Sequence, residues 1–105
     1  MIFTAAGLLN QTEIDSAVRK VEKEFSPQVV RILHSFGEDV NGYPSVFFRI
    51  VVRDEDAPIA HLWELSRRLS VALMNEARTD ENDLRAIFNY RSVSEQQKLQ
   101  DPAWD

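Results

Sequence analysis

The clearest alternation of hydrophobic and polar positions runs from Ser45 to Arg53. Val46, Phe48, Ile50 and Val52 fall on one face; Phe47, Arg49, Val51 and Arg53 fall on the other. The run is β-branched and aromatic, with no Gly or Pro inside it, and predicts a strand. Upstream, Asn10 followed by Glu13 has capping-box spacing, so a helix is expected to begin near Asn10 or Thr12. Ile14, Ala17, Val18, Val21 and Phe25 then recur at helical spacing, and Ser26-Pro27 ends the element. Gln28 to Phe36 is a second strand, with Val30, Ile32, His34 and Phe36 expected on the core face and Val29, Arg31, Leu33 and Ser35 opposite. Between the two strands, residues 37–44 hold two glycines, an Asn-Gly pair and a proline, which predicts an antiparallel hairpin with a long connection.

Asp54 to Pro58 opens a long helix, with Asp56 expected as its N-cap. Ile59, Leu62, Leu65, Leu69, Ala72 and Leu73 form its expected buried stripe, and Trp63 and Met74 flank it to widen the core contact. An acidic loop, Thr79 to Asp83, closes the helix. Leu84 to Arg91 is the third strand, with Leu84, Ala86, Phe88 and Tyr90 on one face and Arg85, Ile87, Asn89 and Arg91 on the other. Ser92 and Glu95 form a second capping box for a short helix from Val93 to about Leu99, stopped by Asp101-Pro102. The order α-β-β-α-β-α predicts an α+β fold. A small three-stranded mixed sheet would carry the two longer helices on one face, with the third strand parallel to the strand from Ser45 to Arg53.

Composition narrows the class. At 105 residues the chain, 1–105, is expected to form a single domain around one core. Residues 1–9 are apolar but too few to span a bilayer and follow no basic stretch, so they are read as a segment packed on the domain, with no membrane partner. Residues 100–105 form a tail, packed or flexible. With no Cys, disulfides, thiolate catalysis and Cys-based zinc sites are excluded, which fits a reducing cytoplasm. A net charge of −5 disfavours nucleic acid and anionic membranes as partners.

That acidic balance makes one local feature stand out. The non-core strand faces collect Arg31, Arg49, Arg53, Arg85 and Arg91, interleaved with Leu33, Phe47, Val51, Ile87 and Asn89. Arginine in an apolar setting can bind carboxylates or phosphates, and this mixture matches a protein interface better than an RNA platform, which places several aromatics on its sheet. The competing expectation is a solvated face whose arginines pair with neighbouring acids. Trp104 is either an interface anchor or a terminal side chain folded onto its own domain. Glu38-Asp39 and Asp54-Glu55-Asp56 could together hold Mg²⁺, although acids in turns more commonly serve as exposed caps. His34 falls on the expected core face and His61 at the polar edge of the long helix. No Gly-rich phosphate loop is present. No catalytic residue, cofactor or metal site is expected.

The stretch Val29-Val30-Arg31-Ile32-Leu33-His34-Ser35-Phe36-Gly37-Glu38, followed by Ser45-Val46-Phe47-Phe48-Arg49-Ile50, resembles the core of the minimal nucleotidyltransferases. In that family the first strand ends in Gly-Ser, and two alternate aspartates on the second bind Mg²⁺ and nucleotide. Here Glu38 stands at the serine position, and apolar residues with Arg49 stand where the aspartates would be. The resemblance therefore implies a catalytically dead relative, and a partner of the small all-helical HEPN class in a bacterial two-gene module. The same stretches, with Phe88 to Gln96, are also similar to small bacterial proteins, a likeness that implies no function. The expectation is a non-enzymatic protein-interaction module whose partner is another protein or a second copy. The candidate contacts are Arg31, Phe47, Arg49, Arg53, Arg85, Arg91 and Trp104. The alternatives are a small RNA- or DNA-binding αββαβ domain, similar in order to type II KH folds but without their Gly-x-x-Gly clamp, and a magnesium-dependent nucleotidyltransferase.

Overall fold

A computed structural model describes residues 5–79 and 82–105, with side chains from residue 11 onward. The elements are α1 (Ala5–Glu24), β1 (Val29–Glu38), β2 (Pro44–Val52), α2 (Ile59–Ala77), β3 (Arg85–Ser92) and α3 (Val93–Leu99). Short 3-10 turns at Asp54–Asp56 and Pro102–Trp104 complete them. The fold is α+β: one sheet of order β1-β2-β3, with β1 antiparallel to β2 and β2 parallel to β3. The hairpin makes the first pairing, and the crossover through α2 permits the second.

Both long helices lie on one face of the sheet. Ile14, Val18 and Val21 of α1 and Leu65, Leu69 and Leu73 of α2 are fully buried against Ile32, Val46, Phe48, Ile50 and Val52. The i, i+3/i+4 spacing on the helices and the alternation on β2 create these two matching apolar surfaces. Phe48 is the largest of the fully buried side chains, and its ring stacks on that of Phe88 with centroids 5.4 Å apart. Loop chemistry then closes the ends. Asn82 donates from Nδ2 to the carbonyl oxygens of Ala77 and Arg78, satisfying acceptors left over at the end of α2. The expected capping box of α3 is present: Ser92 Oγ accepts from the Glu95 N–H, and Glu95 Oε1 accepts from the Ser92 N–H, each at 3.1 Å.

Several expectations are corrected. Helix α1 already includes Ala5, so Asn10 lies inside it; the helix-forming Ala5-Ala6 and Leu8-Leu9 carry it past the capping-box signal. Of the expected N-terminal segment, residues 5–9 are helical and residues 1–4 lie outside the described residues. In the acidic loop, residues 80–81 lie outside them too. On β1 the register shifts between Val29 and Arg31. The extra residue is Val30, 45% exposed, so Val29 and not Val30 joins Ile32 in the core. Asp56 does not cap α2. Its carboxylate accepts from Arg53 Nε at 2.7 Å within the 3-10 turn, and Pro58 stands at the N-cap. Finally, Ile59 (79% exposed) and Trp63 (70%) lie outside the core.

The last correction has a geometric cause. Three strands about 4.8 Å apart occupy about 14 Å in full width, whereas two packed helices, about 10 Å between axes and about 10 Å across each, occupy about 20 Å. Part of the helix surface is therefore left without sheet beneath it, and on α2 that part carries Ile59 and Trp63, with Trp63 lining a groove beside Phe88 and Tyr90 of β3.

The stacked pair at the centre gives a direct test of this core. Phe48→Ala should lower the unfolding free energy by about 3–5 kcal/mol, read from urea denaturation followed by circular dichroism. A loss below 1 kcal/mol would place Phe48 outside the packed centre.

Candidate interaction surfaces

The sheet face turned away from the helices is a grid set by the register. Gly37, Ser45 and Arg85 form one row, Ser35, Phe47 and Ile87 the next, then Leu33, Arg49 and Asn89, then Arg31, Val51 and Arg91. The expected arginine face therefore exists, but its guanidinium groups are held inside the chain. At one end Trp104 is buried at 6% exposure, folded back over the sheet by the 3-10 turn that Asp101 caps. Arg31 Nη1 donates to the Trp104 carbonyl at 3.0 Å, and the Arg91 guanidinium lies 4.3 Å from the indole centroid. Arg91 also donates to Gln96 Oε1 at 3.0 Å and lies 3.5 Å from Asp101 Oδ2. Gln96 is itself buried and donates to the Asp101 carbonyl. Trp104 is thus an internal clasp and not an exposed anchor.

At the other end, Arg85 lies over the Tyr43 ring at 4.8 Å, with Nη1 2.9 Å from Asp39 Oδ2. Arg49, in the middle, donates to Ser35 Oγ at 3.0 Å. Arg53 turns to Asp56 and Glu55 beyond the end of β2. Phe47 lies close over β1, where a Cβ at Gly37 would come within 3.1 Å of its ring. What stays accessible in the central rows is the partly exposed Leu33, Phe47 and Ile87 around Arg49, with Asn89 exposed beside them.

The acids do not converge. Asp39 sits in the hairpin loop, and Asp54 follows β2 at the opposite end of that strand. Nine residues at about 3.3 Å rise separate them by roughly 30 Å. Each is engaged locally. Asp39 Oδ1 accepts from the Tyr43 and Asn41 N–H groups, which, the Tyr43 bond foremost, hold its carboxyl below the usual range. Asp54 is held low chiefly by the Ser94 hydroxyl and then by the Ser94 N–H. Among the described residues, no three His, Asp or Glu side chains gather as a metal cluster. His34 is half-buried with its ring edge-on to Phe36, and that burial lowers its pKa. Among the described residues no helix is long and apolar enough to cross a membrane.

A second surface escaped the sequence reading. Trp63, Ser66, Arg67 and Ser70 of α2 line a groove of about 310 Å³ with Phe88 and Tyr90 of β3. The sequence signal was Trp63 heading a stripe with the small residues Ser66 and Ser70 beside the leucine stripe. Tyr90 completes the groove, with burial pushing its hydroxyl up to about 12.

Two outcomes follow. Arg91→Ala should cost about 2 kcal/mol, combining a cation–π contact with charge-assisted bonds. It should red-shift Trp104 emission in a Trp63→Phe background, and an unchanged spectrum would refute the clasp. The second concerns pH. Folded His34 binds its proton more weakly than the unfolded chain, so stability is lost as pH falls through 6.5 towards its lower folded value. Folded Asp39 and Asp54 also bind protons more weakly, so their contribution, present above 3.8, is lost as pH falls below it. The urea midpoint should therefore drop between pH 7 and 5 in the parent chain but not in His34→Phe, and drop below pH 4 in both.

Compared with known proteins, the chain matches no family model and no curated protein.

Proposed function

We propose that the chain is a non-enzymatic protein-interaction module of the cytoplasm, with another protein or a second copy as its partner. One observation carries this reading. Ile59 and Trp63, 79% and 70% exposed, lie one helical turn apart on α2, Trp63 lines the groove shared with Phe88 and Tyr90 of β3, and Val71 is also exposed on that helix. An exposed Trp next to another large apolar side chain and an arginine has the composition of an interface centre. The central sheet face, with Phe47 and Arg49, is the smaller candidate, since Arg31, Arg85 and Arg91 at its ends already hold internal partners.

Two further observations support the reading against the alternatives. Arginines committed to carbonyl and carboxylate oxygens of their own chain are poorly placed to track a phosphate backbone. Arg49, where the resembled family would carry metal-binding acids, donates to Ser35, and the two acidic loops lie at opposite ends of β2.

A photo-crosslinking phenylalanine analogue placed at position 63, at 49 or at the wholly exposed Val40 tests the proposal in cells at native expression. A discrete protein adduct at 63, absent at 40, is expected. No adduct at either 63 or 49 in any growth phase would overturn it.

A further inference from the structure

The two outer strands of the sheet are treated differently. On β1, the Ile32 N–H that faces away from β2 donates to Glu22 Oε2 at 2.8 Å, and Val30 is bulged out of register. A carboxylate on the edge and a bulge beside it are the devices that stop a strand from recruiting another. On β3, no described side chain or loop hydrogen-bonds to the backbone along Arg85 to Arg91. Alternate residues of that strand hold their N–H and C=O pointing outward, since a parallel neighbour uses only the other set. No Pro interrupts it. Beside this open edge, Trp63, Ser66, Arg67 and Ser70 of α2 form a groove with the partly buried Phe88 and Tyr90 of β3.

We infer that β3 pairs antiparallel with β3 of a second copy across a two-fold axis at Asn89, joining two three-stranded sheets into one of six and packing the α2 flanks together. The inference rests on the interaction-module reading and names its partner. The closed β1 edge selects the geometry: a β3-to-β1 contact would propagate into a fibre, whereas β3-to-β3 closes as a dimer.

Side-chain chemistry selects the register. Centred on Asn89, Phe88 of each copy faces Tyr90 of the other, Asn89 faces Asn89, and Ile87 faces Arg91. Aromatic cross-strand pairs are favourable, and no two like charges are opposed. Centring one residue earlier, on Phe88, would set Arg85 against Arg91 twice. The groove shared by Phe88, Tyr90, Ser66, Arg67 and Ser70 places the middle of α2 beside this axis. Antiparallel α2 helices then bring Trp63 of one copy over Ser70 of the other, and set the Glu64–Arg67 ion pair that each chain holds internally at 3.0 Å beside its counterpart. The serines can lose water there without leaving donors unmet, because Ser66 Oγ donates to the Trp63 carbonyl and Ser70 Oγ to the Arg67 carbonyl.

Sedimentation equilibrium and site-specific oxidation test this on the purified full chain, which has no native Cys. The parent chain should show twice the chain mass. Trp63→Asp, on an exposed position that folding does not need, should raise the dissociation constant about thirtyfold or more. Asn89→Cys should oxidise to a covalent dimer, whereas Ile87→Cys and Arg91→Cys should crosslink only when mixed. A monomer at every concentration, or a dimer in which Asn89→Cys stays reduced, would overturn the pairing. If the chain is monomeric yet position 63 or 49 captures another protein in cells, self-pairing fails and the module reading stands. If neither occurs, both fall.

Discussion

Three strands are narrower than the two helices that cover them, and most of the distinctive features of this protein trace to that mismatch. The core closes because α1 and α2 direct apolar stripes at β1, β2 and the inner face of β3. The helix flanks beyond the sheet have no strand beneath them. On the α1 side the overhang supplies a cap, as Glu22 reaches down to the outward N–H of Ile32. On the α2 side it leaves Trp63 exposed at a groove beside the open strand. The same constraint thus yields one sealed edge and one unsealed edge.

The opposite face of the sheet follows a different logic. An acidic chain that concentrates arginine on one surface invites an electrostatic reading, yet nearly every guanidinium there finds an oxygen or a ring within the chain. The C-terminal residues matter most. Asp101, Gln96, Trp104 and Arg91 form a linked set that lays the tail across Val51 and ties it to Arg31. Arginine suits this task because its planar group can stack on an indole and donate in-plane at the same time. A lysine at position 91 could not do both. The charge that looks like a ligand site along the strands is largely the means by which the tail and the hairpin loop are held to the sheet.

The sequence by itself determined the element order, the hairpin, the parallel return of β3, the capping box of α3 and most of the core, because these depend on periodicity and local turn chemistry. Which face of β2 is buried was legible for the same reason: Val46, Phe48, Ile50 and Val52 alternate without interruption. Local signals failed where a competing interaction or a register shift outweighed them. The Asn10–Glu13 pair had the spacing of a helix start, but the preceding residues were already helical. Asp56 had the identity of a cap, but Arg53 claimed its carboxylate. Val30 fitted the alternation, but a bulge displaced it.

Only the tertiary structure decided how the candidate residues are used. Strand alternation puts Arg31 and Arg91 on one sheet face, but nothing local announces that Trp104 settles against both. Glu22 gives no sign in sequence that it will cap a strand edge, because that contact joins a helix flank to a neighbouring strand. Trp63 sits one position after Leu62 in an apolar helix and reads as core until the width of the sheet is known. Periodicity specifies which way a side chain points from its own element. Whether anything stands there to meet it is set by how many elements lie alongside, and here β3 ends the sheet beneath Trp63.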